Sequence, residues 1–418
     1  MAEPLIRITR QHALVFAAFL VLYEFLTYIA NDMIMPGMIK VVESFHGPES
    51  AIATSLTAYI LGGASLQLFL GPISDRYGRR PVMLFGAAFF FLCTLAIACS
   101  NSIASFLLAR FFQGMGLCFI VVIGYATLQE IFAEMDAIRL IAILANVALI
   151  APLIGPSLGA VFILYFDWRI IFIIIAGFAL LALWGLWRYM PEPIGQIKRD
   201  GEQIKQLSLS PRIVANSYIE LLRNVPFMLG SLALGLLAVP CIAWIALSPV
   251  ILVNHAHLSI IDYGLWQIPV FGALIIGNVV LHQLTHSVDM KQIIFLGSWI
   301  SFVGMIVTFL LPLALGDHFV WLMPGILIYS FGLGLAGAPL NRMVLFMTPG
   351  GKGTTAALIS MIAMLIQGAG VELGNVSYHS HQNVIFGFFC AAVGVAYFML
   401  LLGLFRLVPP ELEGKVNS

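Results

Sequence analysis

The sequence predicts an all-α integral membrane protein whose twelve transmembrane helices form two pseudo-symmetric bundles of six. Apolar residues make up 61% of the 418 positions and charged residues 10%, whereas soluble proteins carry about 25% charged residues. Apolar runs of about twenty residues recur along the whole chain, and each is long enough to cross a bilayer. One long polar stretch, residues 191–225, interrupts this pattern near the middle of the chain.

Each apolar run is predicted to be a helix, because an open strand could not satisfy its backbone polar groups in lipid. The runs leave no segment in which a soluble domain would fit. The predicted helices cover residues 12–36, 50–70, 82–100, 103–128, 138–163, 168–189, 226–253, 262–285, 291–313, 318–340, 354–376 and 384–407.

Basic residues are distributed unequally between the two sides of the predicted membrane. If both termini are inside, the outer loops carry only Lys40 and Arg169, and Arg110 lies within the fourth helix. All other Lys and Arg residues then fall in cytoplasmic segments, as the positive-inside rule requires. We therefore expect a multi-pass protein of the bacterial cytoplasmic membrane with both termini in the cytoplasm. The first apolar run is too long for a cleaved signal peptide and carries two acids.

The polar stretch divides the chain into three parts. We expect an N-terminal six-helix bundle over residues 1–190, a cytoplasmic linker over 191–225 and a C-terminal bundle over 226–418, as in transporters built from two parallel repeats. The linker contains several prolines and a charged cluster from Lys198 to Lys205. A solvated tether is the simplest interpretation, and a short interfacial amphipathic helix is the alternative.

Ionisable residues at membrane depth are concentrated in the N-terminal half. The first helix carries Glu24 and Asp32, and the fourth carries Arg110, whereas the C-terminal half has Glu372 near the outer end of the eleventh helix. A charge inside the membrane costs at least a few kcal/mol and marks a functional site by default. The chemistry is therefore expected mainly in the first half.

Enzyme and metal-site patterns are not found. The five cysteines fall inside predicted helices without paired spacing, which predicts packing roles and no disulfide framework. The histidine pairs His255/His257 and His379/His381 are expected at the surface. Neither a zinc-protease nor a serine-hydrolase motif occurs. We expect no enzyme activity, no cofactor, no metal and no nucleic-acid partner.

The loop between the second and third helices runs from Gly71 to Pro81. It is short, so Gly71, Pro72 and Gly78 are expected to make a sharp turn, and its arginines also fit an ordinary cytoplasmic loop. Its spacing resembles motif A, the signature of the major facilitator superfamily. In that family the loop is a latch between the two halves in the outward-facing state. The resemblance implies conformational roles for Gly71, Asp75, Arg76, Gly78, Arg79 and Arg80.

Two further segments resemble motifs of the same superfamily. The run from Arg110 to Gly114 resembles motif B, whose buried arginine is tied to proton movement. The run from Ala151 to Ala160 resembles motif C, which is associated with antiporters, although Ala160 stands where a second glycine is usual. The resemblance implies export. Physically, the prolines remove backbone donors and the glycines permit close approach of a neighbouring helix; the residues concerned are Pro152, Gly155, Pro156 and Gly159.

The first helix carries the most specific resemblance. Its segment from Leu22 to Ile34 is similar, nearly residue for residue, to the first helix of the MdfA-type multidrug/proton antiporters, and the similarity extends through Gly264–Ala273 over most of the chain. In that family both acids of the first helix take part in proton and drug recognition. The resemblance therefore implies these roles for Glu24 and Asp32.

Helical geometry places these acids together. Residues 24, 28 and 32 share one face of a helix, with Asn31 alongside. This face, which also carries Tyr28, must look inward, because lipid would penalise it. The acids could be bonded permanently to Arg110, but one arginine cannot neutralise both. A buried carboxylate without a full partner favours its protonated form, which suits an acid that exchanges protons.

Other residues are weaker candidates for the substrate cavity. The fourth and fifth helices could contribute Gln113, Leu117, Tyr125 and Ala148, and the seventh Pro240 and Trp244, although plain packing is the alternative for each. Met361 and Met364 are expected in the core, and Glu130 is expected to be a solvated boundary charge.

The sequence as a whole predicts a monomeric, proton-coupled multidrug efflux antiporter that exports lipophilic cationic and neutral compounds by alternating access. In this scheme Glu24, Asp32 and Arg110 couple protons, and Asn31 and Gln113 offer hydrogen bonds to substrate. A dedicated exporter of one metabolite, such as a siderophore or a sugar-like compound, is the nearest alternative. A membrane-embedded enzyme lacks its motifs, and a passive channel or receptor would not need the latch.

Overall fold

The computed structural model describes residues 4–199, 203–204, 211–285, 287–348, 352–380 and 382–407. Within these residues, eleven helices are long and apolar enough to cross a membrane, and a twelfth span is a pair of helices bent by 41° at Leu66. The predicted twelve-helix fold is thereby confirmed. The spans are α1 Arg10–Ser44, α2 Ala51–Ser65 with Gln67–Tyr77, α3 Arg79–Ala98, α4 Ile103–Ile131, α5 Met135–Tyr165, α6 Trp168–Tyr189, α7 Val225–His255, α8 Ile260–Leu284, α9 Met290–Leu315, α10 Phe319–Phe346, α11 Gly353–Tyr378 and α12 Asn383–Leu407.

The first span is longer than the prediction of 12–36. Its main helix ends at Asp32, and a 3₁₀ turn over Met35–Gly37 leads into a second short helix, Met38–Ser44. Thr9 caps the beginning of the span by accepting a hydrogen bond from the amide of His12. The two acids therefore lie before the turn, on a regular helical ladder.

The connection between α2 and α3 differs from the predicted loop. Gly71 and Pro72 lie inside the helix Gln67–Tyr77, so the expectation that they form the turn is wrong. The turn is made at Gly78, whose φ of 101° is rarely adopted by residues with a side chain. Proline is tolerated in this helix because the chain is already broken at Leu66, less than two turns earlier.

The two bundles repeat the same packing. In the N-terminal bundle, α1 packs on α5 and α6, α3 packs on α4 and α6, and α2 packs on α4. Adding six to each helix number gives the packing of the C-terminal bundle: α7 on α11 and α12, α9 on α10 and α12, and α8 on α10. The two main contacts between the bundles are also equivalent: α2 packs on α11, and its counterpart α8 packs on α5, the counterpart of α11. The observed packing is thus pseudo-two-fold.

Matching glycine pairs hold equivalent helices in backbone contact. A Cβ atom on Gly62 would lie 1.9 Å from the carbonyl oxygen of Phe111, and one on Gly114 would lie 2.0 Å from that of Tyr59, so α2 and α4 touch through their backbones. The equivalent helices α8 and α10 touch at Gly277 and Gly334, where a Cβ atom would lie 2.3 Å from a carbonyl oxygen in each case. Small residues at such crossings are typical of membrane helices.

The bundles are joined by polar contacts at one face of the membrane. We call the face that carries the N-terminus and residues 191–225 the linker face, and the other the opposite face. Toward the opposite face, Ser157 of α5 donates to the carbonyl of Gly264 of α8 at 3.0 Å. Asn375 of α11 donates to the carbonyl of Ser50 at 3.1 Å, and Asn254 of α7 donates to Glu49.

The linker contains the helix that the sequence offered as the alternative to a plain tether. Its residues Pro211–Arg223 form a helix that packs on α7 and α11. Earlier in the linker, Ile197 and Gln203 form an isolated antiparallel bridge. The amide of Arg199 donates to the carbonyl of Leu5, whose own amide donates to Ile131 at the end of α4. The first part of the linker, which follows α6 in the chain, therefore lies against the N-terminal bundle.

Candidate functional site

Arg110 lies at the centre of the N-terminal bundle and is fully buried. Its guanidinium donates to the side-chain oxygens of Asn31 at 2.6 Å and Gln113 at 2.7 Å. Longer bonds of 3.3 Å reach the carbonyl of Ala30 and the hydroxyl of Ser55. Its guanidinium carbon also lies 4.7 Å from the centre of the Tyr59 ring, a cation–π distance. The arginine thus links α1, α2 and α4 through uncharged groups.

Asn31 connects this arginine to the first acid. Its amide oxygen accepts from Arg110, and its amide nitrogen donates to Asp32 Oδ1 at 3.2 Å. Both residues are more than nine-tenths buried. Asp32 and Arg110 therefore share the Asn31 amide and do not form a direct ion pair.

Glu24 lies two turns earlier on the same face. It is fully buried, and Tyr125 donates to its Oε1 at 2.8 Å. Its second oxygen has no hydrogen-bond partner among the described residues. Tyr125 directly follows a π-helical turn over Ile120–Gly124, a feature frequent at functional sites.

Arg110 forms no ion pair with either acid. Its acceptors are all neutral, and within the described residues no Lys, Arg or His is ion-paired with Glu24 or Asp32. The alternative of acids bonded permanently to Arg110 is therefore wrong. The guanidinium donates to two side-chain amides, a hydroxyl and a backbone carbonyl, and neither carboxylate accepts a hydrogen bond from it.

Gln113 lies behind Arg110. It is fully buried, accepts from Arg110 and donates to the Thr94 hydroxyl of α3 at 3.0 Å. Its amide is therefore occupied by protein partners, and its place in the substrate cavity stays a prediction. Leu117 is also buried, whereas Tyr28 and Ala148 are half-buried.

The motif C helix packs directly on the acid-bearing end of α1. A Cβ atom on Gly155 would lie 2.9 Å from the Cβ of Asp32, and one on Gly159 would lie 1.9 Å from the carbonyl oxygen of Met33. Pro152 and Pro156 lie within the helix Glu134–Tyr165 without ending it. The predicted close approach is therefore present, and the neighbour is the helix that carries Asp32.

The C-terminal bundle faces Asp32 with uncharged residues. Helices α7 and α8 contact the turn Met35–Gly37 that follows Asp32, and the uncharged, buried Cys241 and Tyr263 lie on these two helices. Pro240, adjacent to Cys241, and Trp244 are both buried. The Trp244 indole donates to Gln267 Oε1 at 2.9 Å, and Gln267 donates to the Ser248 hydroxyl at 3.1 Å.

The motif A residues form a second cluster at the linker face. Arg79 forms ion pairs at 2.7 Å with Asp75 and with Glu130 at the end of α4. Glu130 is therefore not the solvated boundary charge that the sequence suggested. The carboxylate of Glu192, in the linker, accepts from the amides of Arg79 and Arg80 at 3.0 and 2.9 Å and so caps the beginning of α3. These contacts join helices of the N-terminal bundle and the adjoining end of the linker.

The positions of the cysteines and histidines correct one expectation from the sequence, that for His255. All five cysteines are free, and no group of three or more His, Cys, Asp or Glu in the described chain could hold a metal ion. His255 does not lie on a loop surface, because it ends α7 and its Nδ1 lies 3.1 Å from the Tyr378 hydroxyl of α11. His381 lies outside the described residues.

Comparison with known proteins matches this arrangement. The sequence profile of the Major Facilitator Superfamily matches residues 20–371, which include the acids, Arg110 and the motif A and motif C helices. The chain belongs to the Major Facilitator Superfamily. As a member of the superfamily it is a multi-pass membrane transporter and not an enzyme.

Relatives within the superfamily cover nearly the whole chain. Proteins named multidrug transporter MdfA from Edwardsiella ictaluri and from Yersinia pestis are each 44% identical to it, over 406 and 407 residues. The alignments cover 97% of this chain and 96% and 97% of those proteins. The chain therefore belongs with the MdfA multidrug transporters, as the residues of the first helix indicated.

A solved structure shows the superfamily fold at greater distance. The crystal structure of a D-xylose–proton symporter aligns with a TM-score of 0.74 at 16% identity, covering 95% of this chain and 98% of that one. At this identity the likeness concerns the fold alone.

Several site residues were missed from the sequence. Ser55 and Tyr59 of α2 contact Arg110, and the Tyr59 hydroxyl also donates to the carbonyl of Thr27 of α1. Their i, i+4 spacing, which places both polar groups on one face of a helix without charged residues, was the available signal. Glu192 gave no comparable signal, because its partners are backbone amides more than a hundred residues away in sequence.

Proposed function

We propose that the chain is a proton-coupled multidrug efflux antiporter of the bacterial cytoplasmic membrane. It works as a monomer with both termini in the cytoplasm, so that the linker face is cytoplasmic. It exports lipophilic cationic and neutral compounds by alternating access between the two bundles. The basic residues of the linker face support this orientation.

The observation that carries the proposal is the pair of buried acids that form no direct ion pair with a basic side chain. Glu24 and Asp32 each accept a hydrogen bond from a neutral side chain, and Arg110 is occupied by neutral acceptors. A buried carboxylate without a counter-ion is stable mainly in its neutral form. Such an acid binds a proton while enclosed and releases it when water or a cationic ligand can stabilise its charge.

Proton and drug are coupled through these acids. A proton enters from the opposite face onto Asp32 or Glu24 and leaves toward the cytoplasm as the drug is loaded. Because the drug favours the ionised acids and the proton neutralises them, each ligand weakens binding of the other. Asn31 transmits the charge of Asp32 to Arg110, which couples the acid to the packing of α1 against α2 and α4.

The cargo is assigned from the character of the site and from the relatives. Tyr28, Asn31 and Tyr125 supply few polar anchors, and the proposed lining from Leu117, Ala148, Pro240 and Trp244 is apolar, with Gln113 behind. A mostly apolar cavity with few polar groups accepts varied ligands. The relatives named multidrug transporter support broad selectivity over a single metabolite. Susceptibility to chemically unrelated drugs in cells with and without the protein separates these two functions.

The decisive experiment measures protons released when drug binds. Purified protein in detergent, equilibrated in weak buffer near neutral pH, should release protons on addition of a lipophilic cationic drug. Glu24→Gln with Asp32→Asn should release none, while Ser298→Ala in the C-terminal bundle should release as many as the parent. Undiminished release from the double variant would place the proton sites elsewhere and overturn the proposal.

A further inference from the structure

The second helix of α2 has a backbone carbonyl without its regular partner. Pro72 lies inside Gln67–Tyr77 and has no backbone N–H. In an α-helix the amide of residue 72 would donate to the carbonyl of Leu68, four residues earlier. The Leu68 carbonyl must therefore find its donor outside the regular helical ladder.

That donor is supplied by the linker. The hydroxyl of Tyr218 donates to the Leu68 carbonyl at 3.1 Å. Tyr218 is half-buried, whereas the residues on either side of it, Ser217 and Ile219, are exposed, so this side chain is the one that turns inward. Burial raises the pKa of the Tyr218 phenol, which keeps the hydroxyl protonated and able to donate near neutral pH.

The bond connects the linker helix, which packs on the C-terminal bundle, to a helix of the N-terminal bundle. The linker helix Pro211–Arg223 packs on α7 and α11 of the C-terminal bundle. Leu68 lies on the helix of the N-terminal bundle that also carries Asp75, the motif A acid paired with Arg79. The contact therefore ties the linker to the segment whose position determines the motif A cluster.

We propose that Tyr218 is a positioning residue, which clamps the linker helix to the backbone carbonyl freed by Pro72 and makes the linker a working part of the transport cycle. In this arrangement Pro72 is not a helix irregularity but half of the clamp. The expected effect on the transport rate rests on the proposed function, whereas the expected effect on the stability of the linker helix does not.

The test compares the two single variants, Tyr218→Phe and Pro72→Ala, with the double variant. Tyr218→Phe removes the donor and leaves the carbonyl unpaired. Pro72→Ala supplies a backbone N–H within the helix, which competes with the Tyr218 hydroxyl for the Leu68 carbonyl. Because one hydrogen bond of ordinary strength changes an equilibrium roughly fivefold, amide hydrogen exchange over residues 215–223 should accelerate roughly fivefold in Tyr218→Phe and less in Pro72→Ala. In the Pro72→Ala background, Tyr218→Phe should accelerate exchange by a smaller factor than it does in the parent.

Transport provides the second readout. Tyr218→Phe should lower the maximal rate of drug transport in proteoliposomes several-fold at an unchanged half-saturating drug concentration, and its effect should be smaller in the Pro72→Ala background. Tyr189→Phe is the matched control, because this tyrosine ends α6 at the same face and its ring packs on Phe19. Unchanged exchange in Tyr218→Phe, or effects that multiply in the double variant, would overturn the clamp. A parent protein that transports no drug would instead refute the proposed function and leave the exchange test intact.

Discussion

The two bundles share a scaffold but not an interior. The same helices pack in each, and the same crossing is closed by a glycine pair, Gly62/Gly114 in one and Gly277/Gly334 in the other. The N-terminal interior holds two acids and an arginine. The C-terminal interior instead holds neutral hydrogen bonds, such as those from Trp244 to Gln267 and between Ser298 and Tyr397.

This difference shows which features a repeated fold must keep. Backbone contact between α2 and α4, and between α8 and α10, fixes the shape of each bundle and leaves no room for a side chain. The group of Glu24, Asp32 and Arg110 is not needed for that shape, because the described residues of the C-terminal bundle form it without such a group and carry Glu372 near the opposite face. The four predictions below separate the shared scaffold from the unshared chemistry.

The largest effect is expected from removal of both acids. Glu24→Gln with Asp32→Asn keeps the hydrogen bonds from Tyr125 and Asn31 but cannot exchange protons, so uphill drug export should fall to the background of empty vesicles. The folded fraction measured by size-exclusion chromatography should stay that of the parent. Ser298→Ala, which removes a neutral bond of the other bundle, should keep export within about twofold, the effect of a hydrogen bond near the weak end of the usual range. Drug accumulation by the double variant would show that the chemistry is not confined to α1.

Equal losses of stability are expected at the shared glycines. Gly114→Ala and Gly334→Ala each place a methyl group within 2.0 and 2.3 Å of a backbone carbonyl oxygen. Overpacking of this kind costs about 1–3 kcal/mol, and thermal unfolding in detergent should show similar decreases for both. Gly177→Ala on α6 and Gly272→Ala on α8 are matched controls, since a Cβ atom at either position meets no atom within 4 Å. A large loss in one bundle alone would break the claimed equivalence of the scaffolds.

A smaller, kinetic effect is expected at the linker face. Asp75→Asn weakens the pair with the largely buried Arg79 and should slow transport roughly tenfold, the effect of about 1.4 kcal/mol in a barrier. Drug affinity in detergent should change little, because Asp75 lies in the cluster at the linker face, where it pairs with Arg79 of α3. Asp289 occupies the equivalent connection of the C-terminal bundle, is exposed and makes no capping bond with its side chain. Asp289→Asn should therefore transport like the parent, and a large loss of drug affinity in Asp75→Asn would move that acid into the binding site.

The smallest effect is expected from Glu192→Gln. A glutamine still accepts one hydrogen bond but lacks the charge that favours the amino end of α3. Loss of a good cap costs about 1 kcal/mol, so thermal unfolding should begin at a slightly lower temperature while drug binding stays unchanged. Arg80, whose side chain donates to the carbonyl of Trp187, should keep the end of α3 near α6. An unfolding curve identical to that of the parent would show that the cap contributes nothing.

Helix positions and the inward face of α1 were predictable from sequence. Hydropathy places spans because lipid admits few backbone solutions, and the spacing of Glu24, Tyr28 and Asp32 follows from helical geometry alone. The prediction that Gly71 and Pro72 form a turn failed for a physical reason. Pro72 and Gly71 are typical of turns in water, yet a helix already broken at Leu66 can hold both.

The hydrogen-bond and ion-pair partners of the buried side chains were less predictable than the positions of the helices. The sequence left acids bonded to Arg110 as an alternative, which the charge count disfavoured but could not replace with other partners. The guanidinium instead donates to Asn31, Gln113 and neutral oxygens that only the folded helices bring together. Glu130 was interpreted as solvated for the same reason, since its partner Arg79 lies 51 positions earlier in the chain. Hydrogen bonds between distant segments carry no local pattern in the sequence.

Gly78 has a consequence for how this protein can evolve. Two features disfavour a side chain there: the backbone has a φ of 101°, which strains any other residue, and a Cβ atom would lie 2.5 Å from Glu192 Oε2, which would have to move. A mutation that removed the carboxylate would leave the strained φ, and one that relaxed the backbone would leave the collision. A side chain at position 78 would also displace the Glu192 carboxylate from the amides of Arg79 and Arg80. A change in the turn between α2 and α3 therefore alters the linker 114 positions later, whereas Glu192 can change while Gly78 stays.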